Sequence, residues 1–297
     1  MRSTPPIRRS PAVAALVCAA VGLAACGSGA ASSGSPGSPA TASTSPATGS
    51  RPPAGSPPPT TATLVARSAG HRIDSMDFTL DSTVPGRSGA RPTTLDGTAS
   101  LRLHPSLAGR LSFTSSGQST TERIVDTKFY VLLPQIAARD GGRPWVLVDL
   151  ADASKTAGID YSQLLRSAEQ VDPTRTLQLL AARRRFHEIG VSTVDSHRVV
   201  GLTGSFTPAT LTQPGISRAL LAQLKAKLAG VGATRETVTM YLTYAGLPVR
   251  ILTSLATRTY GTLTSTIDIR QINIPVLASP PPAAQTITLT QLRKTAG

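Results

Sequence analysis

Apolar and polar residues alternate along much of this chain, and the alternation predicts strands. Met76, Phe78 and Leu80 interleave with Asp77, Thr79 and Asp81. A period of two sends successive side chains to opposite faces, so this stretch predicts a half-buried strand. The same period recurs where Leu101 and Leu103 flank Arg102, and where Leu111 and Phe113 flank Ser112. It is longest where Val238, Met240, Leu242 and Tyr244 alternate with Thr237, Thr239, Tyr241 and Thr243. Pro85-Gly86, His104-Pro105 and Ser116-Gly117 punctuate the early runs as turns. Ile124-Val125-Asp126 followed by Phe129 to Pro134 predicts a hairpin, and Trp145 to Leu150 a further strand. Strands are also predicted over Phe186–Val194 and Arg198–Phe206, and over 235–244, 248–259 and 262–274.

Between these blocks the period changes to that of a helix. Leu164, Leu165, Ala168, Val171, Leu177, Leu180 and Ala181 share helical spacing across residues 160–184, with Pro173 starting a second helix after Asp172. Residues 216–229 place Ile216, Leu220, Leu221, Leu224 and Leu228 on one helical face. Shorter helices are predicted over 60–68, capped by Thr60 or Thr61, and over 290–294. Strands, then helices, then strands, with no βαβ alternation, define an α+β class built from antiparallel meanders. One large curved antiparallel sheet, a half-barrel with helices covering its concave face, fits this order.

The N-terminus carries different information. Arg2, Arg8 and Arg9 precede an apolar run over 11–22 that is too short for a bilayer helix, which needs roughly 20 residues. That suits the core of a signal peptide. The run ends in Leu23-Ala24-Ala25-Cys26-Gly27. A Leu, two small residues and a Cys form a lipobox, in which the small residues admit the chain to a peptidase and the thiol of Cys26 accepts diacylglyceryl. The expected division is therefore a lipoprotein signal peptide over 1–25, a lipidated cysteine and tether over 26–59, and a folded domain over 60–297. Residues 27–59 are almost wholly Gly, Ala, Ser, Thr and Pro, which cannot bury a core and predict a disordered spacer. No later apolar run reaches membrane-span length, so lipid on Cys26 is the predicted anchor, on the extracytoplasmic face of the cell membrane.

Composition narrows the chemistry. The 297 residues are 40% apolar but only 4% aromatic, so aliphatic side chains must supply most of the packing. The formal charge is +14; three of those charges precede Cys26 and no acid does, leaving +11 after cleavage. The basic residues are overwhelmingly Arg, which fits a GC-rich coding bias, and attraction to anionic head groups is the functional alternative. Arg183-Arg184-Arg185 follow a predicted helix, where cations meet the negative end of its dipole; contact with phosphate head groups is the second reading. With Cys18 removed, Cys26 is the one remaining cysteine, so no internal disulfide is expected. His71, His104, His187 and His197 show no ligand spacing, and no metal or cofactor is expected. There is no G-x-S-x-G elbow, no S-x-x-K and no phosphate-binding glycine loop, so no catalytic residues are assigned and an enzyme is not expected. Asp74, Asp77 and Asp81 lack calcium-loop spacing and read as a solvated strand edge. An exported chain with so few aromatics is a poor candidate for nucleic-acid binding.

Three segments carry a resemblance. Ile124 to Val131 resembles the V-D-G-x-x-Y hairpin of the actinobacterial lipoproteins of the LppX/LprA/LprF/LprG group, with Thr127 where the group often has Gly. Arg143 to Leu150 resembles their K-W-x-x-x-D-L strand, and Tyr241 to Arg250 their V-D-x-x-G-L-P-x-R hairpin, with Tyr244-Ala245 in place of the usual acidic turn residue. Order and approximate spacing agree over roughly residues 60–275. The resemblance implies a half-barrel similar to the LolA/LolB carriers, closed by helices over an apolar cavity that holds acyl chains of lipids or lipoglycans. Met76, Phe78, Leu80, Leu111, Phe113, Val238, Met240 and Leu242 are the candidate cavity lining; the same residues would serve as plain core in a filled domain. Trp145 is expected at the sheet edge or rim. The functional expectation is an envelope lipoprotein that binds an acylated lipid or glycolipid for storage or transfer. The alternative is an envelope interaction or sensor module on the same scaffold.

Overall fold

The strands predicted from the period of two form, and they join into one sheet. The computed structural model describes residues 57–86, 91–115, 117–126, 128–138, 140–149, 187–207, 225, 232–258 and 260–295. Six strands make a first antiparallel meander: β1 (Ser75–Val84), β2 (Thr93–Arg102), β3 (Ala108–Ser115), β4 (Gln118–Val125), β5 (Lys128–Leu132) and β6 (Trp145–Asp149). Five make a second: β7 (His187–Val194), β8 (His197–Phe206), β9 (Ala233–Thr243), β10 (Pro248–Thr257) and β11 (Gly261–Ile272). The meanders fuse where β1 pairs with β11, through eight register pairs from Met76–Ile272 to Thr83–Thr264 with a bulge between Asp77 and Phe78. A short strand β12 (Thr286–Thr288) adds to β6 in parallel and occupies that edge. Across the described residues the order is β12-β6-β5-β4-β3-β2-β1-β11-β10-β9-β8-β7, an open sheet with β12 and β7 at its edges.

The pleat sorts the side chains into two faces. Phe78, for example, lies opposite Ala99 on β2 and Ile269 on β11, and Met240 lies opposite Leu202 on β8 and Ile251 on β10. All of these are buried in one apolar cluster, to which every strand except β7 contributes. Helix α1 (Thr61–Gly70) packs Leu64 into that cluster, so it covers the apolar face. Thr60 caps it, its Oγ1 accepting from the Thr63 amide at 3.3 Å. The helix also ties down the β9–β10 turn: Arg67 donates to the Tyr244 carbonyl at 2.5 Å, and His71 Nε2 lies 2.9 Å from the Ala245 carbonyl. Gly246 in that turn has φ +89°, and a Cβ there would sit 2.8 Å from both Arg67 Cβ and the Ser68 amide nitrogen. Only glycine meets both demands.

A four-residue helix α2 (Pro134–Ala137) links β5 to β6. At the C-terminus, helix α3 (Leu289–Thr295) packs Leu289 and Leu292 against the same apolar cluster. Between β11 and β12 the chain crosses the opposite, outward face. Asn273, in the left-handed region at φ +58°, donates its amide to the Ser75 carbonyl at 2.8 Å. Ser75 Oγ then donates to the Ile274 carbonyl at 2.6 Å, and Arg123 Nη1 to the Ser279 carbonyl at 3.3 Å. Val276 and Pro281 are buried beneath this strap.

Candidate functional site

The apolar face is the first candidate. Met76, Phe78 and Leu80 on β1, Leu111 and Phe113 on β3, and Val238, Met240 and Leu242 on β9 are all buried, and all belong to the same cluster. They come from two meanders far apart in sequence, brought together by the β1–β11 pairing. Phe113 lies directly opposite Gly97 on β2, and its ring fills the space a side chain there would need: a Cβ at 97 would come within 2.2 Å of a ring carbon. Among the described residues the arrangement is a largely aliphatic and aromatic surface, suited to burying apolar groups.

Glu122 interrupts that surface. On β4 the inward positions are Thr120, Glu122 and Ile124, and Glu122 stands in register between Leu111 on β3 and Val131 on β5. Glu122 is 0% exposed. Neither of its carboxyl oxygens has a hydrogen-bond partner among the described residues. Burial pushes its pKa up to about 8. Glu122 sits where the alternation calls for an apolar residue, and the period of two counted back from Ile124 is the signal that places it on the inner face. A second buried acid, Glu236, occupies an inward position on β9, opposite Phe206 and Leu255.

The outward face of the same strands is polar. Outward side chains such as Thr79, Asp81, Asp96, Thr98 and Arg270 line an open cavity of about 590 Å³, to which Gly97, Phe113 and Thr120 of the inward set also contribute. Asp81 and Asp96 face each other across β1 and β2. The Asp81 carboxyl is raised above its ordinary value, first by burial, then by a hydrogen bond with Asp96 and by the charges of Asp96 and Asp268. Asp268 also accepts from Arg250 Nε, and that bond raises the Arg250 guanidinium. Asp77 and Asp81 lie on the outward face of β1, which pairs with β2 and β11 on its two sides, so they do not form the strand edge expected from sequence. Asp74 pairs with Arg72 at 2.6 Å at an exposed position ahead of β1.

Trp145 departs from its expected place. It lies on β6, one strand in from the edge because β12 covers β6, and it faces outward while its neighbour Val146 faces the core. Arg123 stacks over its ring at 4.8 Å, beside the strap. It therefore lies away from the apolar face.

Among the described residues no group of His, Cys, Asp and Glu could hold a metal ion, and no helix is long and apolar enough to cross a membrane. Leu23, Ala24, Ala25 and Cys26, the helices predicted over 160–184 and 216–229, and Arg183-Arg184-Arg185 lie outside the described residues.

An open, largely antiparallel sheet with one apolar face overlaid by helix and one polar face is the class this geometry defines. The structure is similar to the crystal structure of the lipoprotein LppX of Mycobacterium tuberculosis, at 15% identity and a TM-score of 0.45, covering 74% of this chain and 100% of that one. It is also similar to LprF of Mycobacterium bovis, at 14% identity and a TM-score of 0.45, covering 76% and 99%. A LolA-superfamily protein of Nitrosomonas europaea matches at 7% identity and a TM-score of 0.28, covering 73% and 94%. No family model and no curated protein matches the sequence.

Proposed function

We propose that this chain is an envelope lipoprotein, anchored to the outer face of the cell membrane by diacylglyceryl on Cys26. In this reading residues 60–297 bind the acyl chains of a lipid or lipoglycan against the inner face of the sheet, for storage or transfer. One observation supports it most: apolar residues of two separate meanders converge on one face, while the outward face of the same strands is hydroxylic and charged. Taking an acyl chain out of water gains roughly 0.8 kcal/mol per methylene, so an apolar face is enough to hold one. No bond is made or broken. The Ser- and Pro-rich residues 27–59 serve as the tether between membrane and domain.

The experiment is native mass spectrometry of the chain purified gently from a related host after export. A discrete added mass that organic solvent removes, and that analyses as an acylated lipid, is the expected result. A clean apo mass with no later uptake of a fluorescent fatty-acyl probe contradicts the reading. The anchor is tested separately: Cys26→Ser is expected to move the protein from the membrane to the soluble fraction.

The open cavity of about 590 Å³ along the outward face favours a second reading, a module that engages an envelope partner through that surface. Substituting Thr98 and Ser112 should then abolish partner capture while leaving lipid uptake intact.

A further inference from the structure

Glu122 is out of keeping with the face it occupies. The inward positions nearest it in the pairing registers are Gly109, Leu111 and Phe113 on β3, Phe129 and Val131 on β5, and Thr120 and Ile124 on its own strand. None of them carries a charge. Buried side-chain polar atoms in folded proteins nearly always have a hydrogen-bond partner, and an exception calls for a physical reason. A carboxyl left without one costs several kcal/mol if it stays ionised, so it holds its proton instead. Burial does this here, raising the group to about 8. At neutral pH Glu122 is then a neutral acid, with one O–H to donate and two oxygens that accept.

We propose that Glu122 is the polar recognition point of the inner face, and that it takes a neutral hydroxyl carried by the bound lipid beside its acyl chains. The proposal rests on the acyl-binding reading above. Apolar ligand sites hold orientation and specificity through a few placed polar groups set in an otherwise apolar wall, and Glu122 is such a group. The chemistry of its surroundings selects the class of ligand. A phosphate would meet no cation among these inward neighbours. A pure hydrocarbon would leave both carboxyl oxygens unsatisfied. A hydroxyl both donates and accepts, and so matches a neutral carboxylic acid at both of its functions. Ester and ether oxygens can only accept from the acid's O–H, so Glu122 favours lipids with a free hydroxyl near the acyl chains, such as a diacylglycerol moiety, over fully substituted ones.

The test uses the full chain and two probes that differ only at that group: dioleoylglycerol, with a free hydroxyl, and its O-methyl ether. Each displaces a fluorescent fatty-acyl probe in competition. Wild type is expected to bind the free hydroxyl about tenfold more tightly, the equivalent of one net hydrogen bond. Glu122→Leu is expected to bind both probes with equal affinity. An independent measurement on the wild type needs no apolar variant to fold. In infrared difference spectra, the carbonyl band of a protonated carboxylic acid, assigned by its loss in Glu122→Gln, should shift when dioleoylglycerol is loaded. Equal affinities in the wild type, a preference kept by Glu122→Leu, or an unmoved band each overturn the proposal while acyl binding stands. Uptake of neither probe by the wild type sinks the acyl-binding reading, and this proposal with it.

Discussion

The two faces of strands β1 to β4 share a backbone and differ in almost everything else. Inward, Met76, Phe78, Leu101, Leu111 and Ile124 are buried in the common core. Outward, Thr79, Asp81, Asp96, Thr98, Ser112 and Thr121 present hydroxyls and carboxylates along an open cavity. Backbone pairing is identical for both, so the strands themselves favour neither face. What fixes the register is the cost of the alternative: a slip of one residue would expose every apolar side chain and bury every carboxylate. The inner face therefore carries the folding energy, and the outer face is left free to vary its chemistry. Glu122 belongs by position to the first face and by chemistry to the second, and that mismatch makes it informative.

Breaking the comparison at its strongest point should have the largest effect. Phe78→Ala removes a ring that is 2% exposed at the centre of the sheet, and the expected loss is about 3–5 kcal/mol in denaturant unfolding. Next comes Glu122, through pH. Its folded pKa of about 8 lies above its ordinary value of 4.5. Below about pH 4.5 folded and unfolded chains both hold the proton, and nothing is lost. Between about pH 4.5 and 8 the unfolded chain releases it first, so stability falls as pH rises, by up to about 1.4 kcal/mol per unit. Above that window both forms are ionised and the loss levels off. Glu122→Gln cannot titrate, so its stability relative to wild type should climb from about pH 5 to 8. A difference that stays constant across that range would mean the carboxyl is solvated.

Gly246→Ala tests the clasp between α1 and the β9–β10 turn. The positive φ and the 2.8 Å approach to Arg67 and Ser68 predict a loss of about 1–3 kcal/mol, read as a lower Tm. The smallest effect is expected on the outer face. Thr98→Ala removes one exposed hydroxyl, and thermal melts should place it within about 0.5 kcal/mol of wild type. A larger loss there would erase the asymmetry between the faces.

The same asymmetry explains what could be read from the sequence. Strands β1 and β9 alternate cleanly because each has one face in the core and one in water, so Met76 to Leu80 and Val238 to Leu242 announced themselves. The helix at 61–70 and its cap were legible for the same reason, with Leu64 inward and Thr60 at the N-terminus. The first half of β2 and most of β4 were not. β2 places Gly97 and Ala99 on its inner face, and β4 places Thr120 and Glu122 there, so the contrast between faces fades. β12 is three residues long and is held by parallel pairing to β6, which no local pattern encodes. Trp145 lies on a strand as its pattern predicts, but one strand in from the sheet edge, because no local pattern discloses that β12 covers β6. The inner-face residues were found as a set. Their role as ligand lining was not separable from core by composition, since both need the same side chains.

The central claim is that acyl chains lie against the inner face, and photo-cross-linking tests it most directly. The full chain is loaded with a fatty-acyl probe bearing a photoreactive group on its chain, irradiated, digested and mapped by mass spectrometry. Labels on inward residues such as Met76, Leu111 and Met240 are predicted, with none on Thr98 or Ser112. Labels confined to the outward cavity, or no label that excess unlabelled lipid can displace, would contradict the account.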